Sequence, residues 1–180
     1  MPALDRLTGD SRERSTRRVA LAFLFALLLV SATATASAVP VGEQLVVTDQ
    51  QTGDELIATP VHENSTVALV YMHSVQKSRV LDQYAVRGHT LVYTRMEFES
   101  YGWGLPSRSA VREVNGTFVL EDPDWQGREL NVKPGRVADH ELVVDGRTYD
   151  LVNRSDARAV TIRVTDRSLL EAALDTTTNE

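Results

Sequence analysis

The stretch "YMHSVQKSRVLDQY", from Tyr71 to Tyr84, carries the densest set of side chains able to move a proton or hold a charged ligand. If a strand begins at Val67, period two puts Val67, Leu69, Tyr71 and His73 on one face and Ala68, Val70, Met72 and Ser74 on the other. His73 and Ser74 then stand at the end of an apolar strand, where the chain leaves the core. A hairpin turning at Arg87-Gly88 sets Val86 opposite His89, Asp82 opposite Tyr93 and Val80 opposite Arg95. Asp82 and Arg95 then lie diagonally on one face, within reach of a long side chain. Two readings fit this layout. In the first, His73, Ser74, Asp82 and Arg95, with Glu97 or Glu99, converge on a polar pocket beside the loop that carries Trp103. In the second they dress an ordinary sheet: Asp82 pairs with Arg95, His73 bonds a loop carbonyl and Ser74 closes a turn.

Other chemistries are less accessible. A serine hydrolase needs Ser, His and an acid in contact, yet neighbours on a strand face opposite ways, so His73 cannot serve Ser74. The four histidines, His62, His73, His89 and His140, never occur at H-x-H or H-x-x-x-H spacing, and there is no cysteine. No metal site, cofactor or catalytic residue is therefore assigned. In "SYGWGLPSR", Gly102 and Gly104 permit positive φ or close backbone approach, and Pro106 after Leu105 fixes φ before the next strand. Trp103 either plugs the end of a small barrel or joins Tyr101 as an aromatic platform for a ligand or partner.

The elements that must position these residues are short and apolar, separated by turn signals. "EQLVVTD" and "DELIATP" flank Gln51-Thr52-Gly53, and "STVALVYMHS", "VLDQYAV" and "HTLVYTRMEF" follow. Next come "SAVREV" and "TFVLED" around Asn115-Gly116, "HELVVD" and "RTYDLV" around Asp145-Gly146, and "ARAVTIRVT". Asn-Gly and Asp-Gly between alternating residues are strong hairpin signals, because a type I′ turn needs positive φ at both central positions. The fold expected over residues 39–165 is all-β, a single small antiparallel sandwich or barrel. Over 166–180, Ser168 with Glu171 forms a capping box that predicts a short C-terminal helix, and the tail "DTTTNE" is expected to be disordered.

Residues 1–38 read differently. Arg12, Arg14, Arg17 and Arg18 precede an uncharged, mostly apolar run from Val19 to Val30, and small residues end in Ala36-Ser37-Ala38. This is the order of a secretory signal peptide with an A-x-A cleavage site. The alternative is a retained membrane anchor, since Val19 to Ala38 carries no formal charge. Either one makes the remainder extracytoplasmic, secreted or anchored to the outer face of the cytoplasmic membrane. Cleavage removes five of the 19 basic and three of the 25 acidic residues, leaving a formal charge of −8. Such an acidic chain repels nucleic acid and favours solubility. With Lys77 and Lys133 its only lysines, its composition resembles that of halophile proteins. Asn64, Asn115 and Asn153 each open an Asn-x-Ser/Thr triplet, compatible with glycosylation outside the cell.

The succession of His73-Ser74-Val75, Asp82, "FESYGWGLP" with Gly102, Gly104, Leu105 and Pro106, and "HEL" at His140 resembles the uncharacterised domain-of-unknown-function family numbered eighteen-fifty. The resemblance spans Leu45 to Leu151. Asp82 stands where glutamate is expected, and Trp103 where a small residue is commoner. Members are exported or anchored, and often encoded beside permeases of tripartite ATP-independent periplasmic transporters. The resemblance thus implies an accessory role in solute uptake, with a membrane permease and a small organic ligand as partners, and supplies no catalytic residues. Two alternatives stand beside it: a small exported hydrolase or lyase using His73 with Asp82 and Arg95, and a purely structural cell-envelope protein.

Overall fold

A computed structural model describes Val19 and residues 21–24, 40–100, 111–169 and 171–173. The strands run β1 (Pro40–Asp49), β2 (Glu55–Val61), β3 (Thr66–Met72), β4 (Arg79–Arg87), β5 (Thr90–Phe98) and β6 (Arg112–Val114). They continue with β7 (Thr117–Glu121), β8 (Gln126–Gly127), β9 (Glu129–Val132), β10 (Glu141–Val144), β11 (Arg147–Asp150) and β12 (Val160–Ser168), with a short helix α1 (Leu151–Ser155) before the last. One sheet has the order β2-β1-β12-β9, the other β11-β10-β3-β4-β5-β7-β6, with β8 paired to β5. The two mostly antiparallel sheets make a sandwich, not a closed barrel. Contacts divide the chain into two units: Gly42–Arg167 holds the sandwich, and Met1–Val41 together with Ser168–Glu180 forms the other.

Period-two alternation selects the buried faces. On β2, Ile57, Thr59 and Val61 are buried between exposed neighbours, and on β3 Val67 and Leu69 turn into the core. A shift of one residue would carry every such side chain to the other face, so the apolar set fixes the register. The expected hairpins at Asn115-Gly116 and Asp145-Gly146 form, with φ of 52° and 83° at the first pair and 46° and 83° at the second. Both central residues thus adopt the left-handed backbone of a type I′ turn.

The hairpin between β4 and β5 differs from expectation. It turns at Gly88-His89, not Arg87-Gly88, so Arg87 pairs with Thr90, Val86 with Leu91 and Tyr84 with Tyr93. Gly88 has φ of 50° and sits first in the turn, where a positive φ is required and glycine adopts it without strain. The ladder then shifts between Gln83 and Tyr84: Gln83 faces Arg95 and Asp82 faces Met96. Thr94 is the extra residue of this β-bulge, and its Oγ1 donates to the Gln83 carbonyl at 3.1 Å. Leu91 and Tyr93 precede the bulge and Met96 and Phe98 follow it, all on the inner face. Arg95 and Glu97 pass to the outer face, which overturns the expected diagonal of Asp82 with Arg95.

The main core gathers Leu45, Val47, Ile57, Val67, Leu69, Leu142 and Ile162 between the sheets. A second cluster, Val80, Met96 and Phe98, packs with Val111, Phe118 and Leu120, and Tyr71 and Tyr93 touch both clusters. One further correction concerns "RTYDLV". The strand ends at Asp150, whose carboxylate accepts from the Asn153 amide at 2.9 Å and caps α1. Asp156 closes the helix in the left-handed conformation, and Leu151 is fully buried. Five residues give no helical period to read, so the sequence shows only an apolar pair after a strand.

In the other unit, Val19 and residues 21–24 are helical, as are Leu169 and 171–173. The Ser168 amide donates to Glu171 Oε2 at 2.7 Å and the Glu171 amide to Ser168 Oγ at 3.3 Å, the reciprocal capping box expected for the short C-terminal helix. Among the described residues, no helix is long and apolar enough to cross a membrane. The tail "DTTTNE" and the small residues before Val39 lie outside the described residues.

Candidate functional site

Asp82 projects from the middle of β4 onto the inner face of the larger sheet. Its cross-strand partners are Leu69 and Met96, both apolar. Tyr93, one step along β5, donates its hydroxyl to the Asp82 carboxyl, and Tyr71 on β3 donates to the same group. Tyr84 stacks on Tyr93 with ring centroids 4.7 Å apart. Trp125, just before β8, meets Tyr84 edge-on at 5.6 Å. Gly127 is glycine because a Cβ there would lie 2.9 Å from the Trp125 ring.

His140 completes the group from the start of β10. Its ring stacks on Tyr71 at 4.9 Å, nearly parallel. Its Nδ1 accepts from the Gly135 amide at 3.2 Å, so in the neutral ring the proton resides on Nε2. The adjoining loop is tied to the end of β3, since the Met72 amide donates to the Ala138 carbonyl. Tyr71, Asp82, Tyr93 and His140 are each half-buried.

The electrostatics follow from this partial burial. Loss of water pushes the Asp82 carboxyl above its usual range, and the hydrogen bonds from Tyr93 and Tyr71 offset that only in part. Burial, with the Asp82 charge next in effect, raises Tyr71, Tyr84 and Tyr93, so all three keep their protons at physiological pH. Burial lowers His140 and holds it neutral. The result is a carboxyl held by two phenols beside a neutral imidazole.

The other residues singled out in the sequence are dispersed. His73 and Ser74 lie in the turn after β3. The His73 amide donates to the Ser78 carbonyl at 2.8 Å, and its Nδ1 accepts from the Gln76 amide at 3.3 Å. Ser74 is exposed. Arg95, on the outer face, bonds Glu97 and Glu121 at 2.6 Å each. Gly102, Trp103, Gly104, Leu105 and Pro106 lie outside the described residues. Asn64, Asn115 and Asn153 are exposed, the first two with positive φ and the third in α1.

The sequence reading gave the three tyrosines no role in the site and gave His140 no partner. It also passed over a Ser-His-Asp grouping. Ser65 Oγ lies 2.9 Å from His62 Nδ1 and donates to Asp145 Oδ2 at 2.7 Å, beside a pocket of about 280 Å³ that includes Arg147. The order is wrong for a triad, because the serine proton goes to the carboxylate and the serine is buried. The grouping clips the β2–β3 turn to the β10–β11 turn, where Asp145 also accepts from the Thr66 amide. Among the described residues, no group of three His, Asp or Glu side chains could hold a metal ion.

No curated protein and no solved structure matches the chain. Residues 67–151, which carry β3 to β11 with Tyr71, Asp82, Tyr84, Tyr93 and His140, do match the family model described as Domain of unknown function (DUF1850). This narrower span starts after the Leu45 at which the resemblance was drawn. It supports the domain-of-unknown-function family for the segment that builds the site.

Proposed function

We propose that the chain is an extracytoplasmic accessory domain, secreted or anchored to the outer face of the cytoplasmic membrane. It captures a small organic ligand at the Asp82 cluster and works beside the permease of a tripartite solute-uptake transporter. One observation carries the ligand reading: a carboxyl on the inner face of a sheet, half-buried among tyrosines where the two apolar clusters meet. A fold optimised only for stability gains little from such a group, since an apolar residue of similar size avoids its desolvation cost. The arginine-rich leader, its apolar run and Ala36-Ser37-Ala38 support export. The family resemblance supports the link to a permease.

The hydrolase or lyase alternative needs Arg95 as an anion-binding group near Asp82. Arg95 stands on the opposite face of the sheet, engaged with Glu97 and Glu121. Cell fractionation with mass spectrometry of the mature N-terminus, and co-purification from membranes through a C-terminal tag, test the proposal together. Recovery outside the cytoplasm with a permease is the expected outcome. A cytoplasmic chain, or one exported but recovered without any membrane partner, overturns the accessory role.

A further inference from the structure

We propose that the Asp82 cluster takes a small organic cation bearing N–H donors, a primary ammonium compound, held between the Asp82 carboxylate and the phenolic oxygens of Tyr71 and Tyr93. This rests on the reading of the cluster as a capture site and names its ligand class. The assignment follows from counting hydrogen-bonding capacity. A phenol has one proton, and Tyr71 and Tyr93 both give theirs to Asp82. What each tyrosine has left to offer is therefore an acceptor lone pair. An ionised carboxylate has about four acceptor positions, of which the phenols fill two. The remaining capacity at the centre of the cluster is all acceptor.

An ammonium group supplies three donors and a positive charge to match. An anion meets those lone pairs and a single donor, the Nε2–H of a neutral His140, with no positive charge to balance its own. Among the described residues, no ion pair reaches Asp82. Its cross-strand neighbours Leu69 and Met96 bring no charge either. Tyr71, Asp82, Tyr93 and His140 each keep part of their surface in solvent, so the cluster is not sealed inside the core. The formal charge of −8 beyond residue 38 draws cations toward the domain.

The test uses the full-length chain, with n-butylammonium, butyrate and butyramide as probes at matched ionic strength, read by thermal shift and saturation-transfer NMR. Butylammonium is expected to raise the melting temperature and show transfer, while butyrate and butyramide do neither. Asp82→Asn is expected to weaken butylammonium binding at least about tenfold, the scale of a lost charged hydrogen bond, with circular dichroism unchanged. Glu113→Gln, on the exposed strand β6, controls for cations attracted to the acidic surface and is expected to change nothing. Butyrate or butyramide binding that Asp82→Asn abolishes overturns the cation assignment and leaves the capture site standing. No response to any probe, or a butylammonium response that Asp82→Asn leaves intact, overturns both.

Discussion

Replacing Asp82 by asparagine should stabilise this protein at neutral pH and progressively less as the solution is acidified. The swap keeps shape and one carbonyl acceptor for a tyrosine hydroxyl, and its amide N–H₂ can donate to a phenolic oxygen. It removes a charge that burial disfavours more than Tyr71 and Tyr93 favour it. The sign follows from linkage. Well below the ordinary value of 3.8, the carboxyl is neutral both folded and unfolded, and its burial adds no ionic cost. As pH rises past 3.8 the unfolded chain ionises first, so the cost grows until the folded carboxyl has ionised too, and it stays constant above that. Each unit by which the folded value lies above the unfolded one returns about 1.4 kcal/mol to the variant at neutral pH. That corresponds to about 4 °C in melting temperature for a domain of this size. Urea denaturation at several pH values between 4.5 and 7.5 measures the difference. Tyr93→Phe, which leaves the carboxylate with one donor fewer, should cost about 1.5–3 kcal/mol at pH 7.5. In the Asp82→Asn background the same change should cost about 1 kcal/mol. An asparagine variant that is less stable than the parent at pH 7.5 by more than about 1 kcal/mol, or equally affected at every pH, would refute the claim that this carboxyl is under-compensated.

Other substitutions probe the frame around the site. Arg158→Ala strands the Asp49 carboxylate, which is 1% exposed and bonded to Arg158 Nε at 2.5 Å. The Arg158 hydrogen bond, ahead of the Gln51 and Thr52 amides, holds Asp49 below 3.8. The loss of stability should therefore be complete at neutral pH and fade as pH falls beneath that value, as thermal melts can follow. Leu142→Ala, at a fully buried position facing Leu69, should cost about 2–5 kcal/mol by denaturant titration. Gly127→Ala should push Trp125 off Tyr84, shifting tryptophan fluorescence with little change in β-sheet circular dichroism.

The parts of this architecture that the sequence made legible are those with local causes. Asn115-Gly116 and Asp145-Gly146 announce their turns because few other pairs tolerate two left-handed residues in succession. Val67, Leu69 and Tyr71 declare a common face by simple alternation, and Ser168 with Glu171 spells out its capping box. The site was legible only in pieces. Asp82 stood out as a lone acid in an apolar strand, but its partners come from three strands whose relative register no local signal sets. The bulge at Thr94 is the clearest case, because an ordinary threonine accommodates it and nothing in the sequence marks the extra residue. His140 has no apolar period to place it, and its stack on Tyr71 depends on how β10 pairs with β3.

That single surplus threonine acts as a parity switch for the whole hairpin. Draw it into the ladder opposite Gln83, and Met96 and Phe98 would swing into water while Arg95 and Glu97 turned toward the tyrosines. The spacing from Tyr93 to Met96 thus tells whether a bulge is needed to keep the pocket. A related chain that keeps the acid and the tyrosines but is one residue shorter there would hold the same faces with a plain ladder and no bulge.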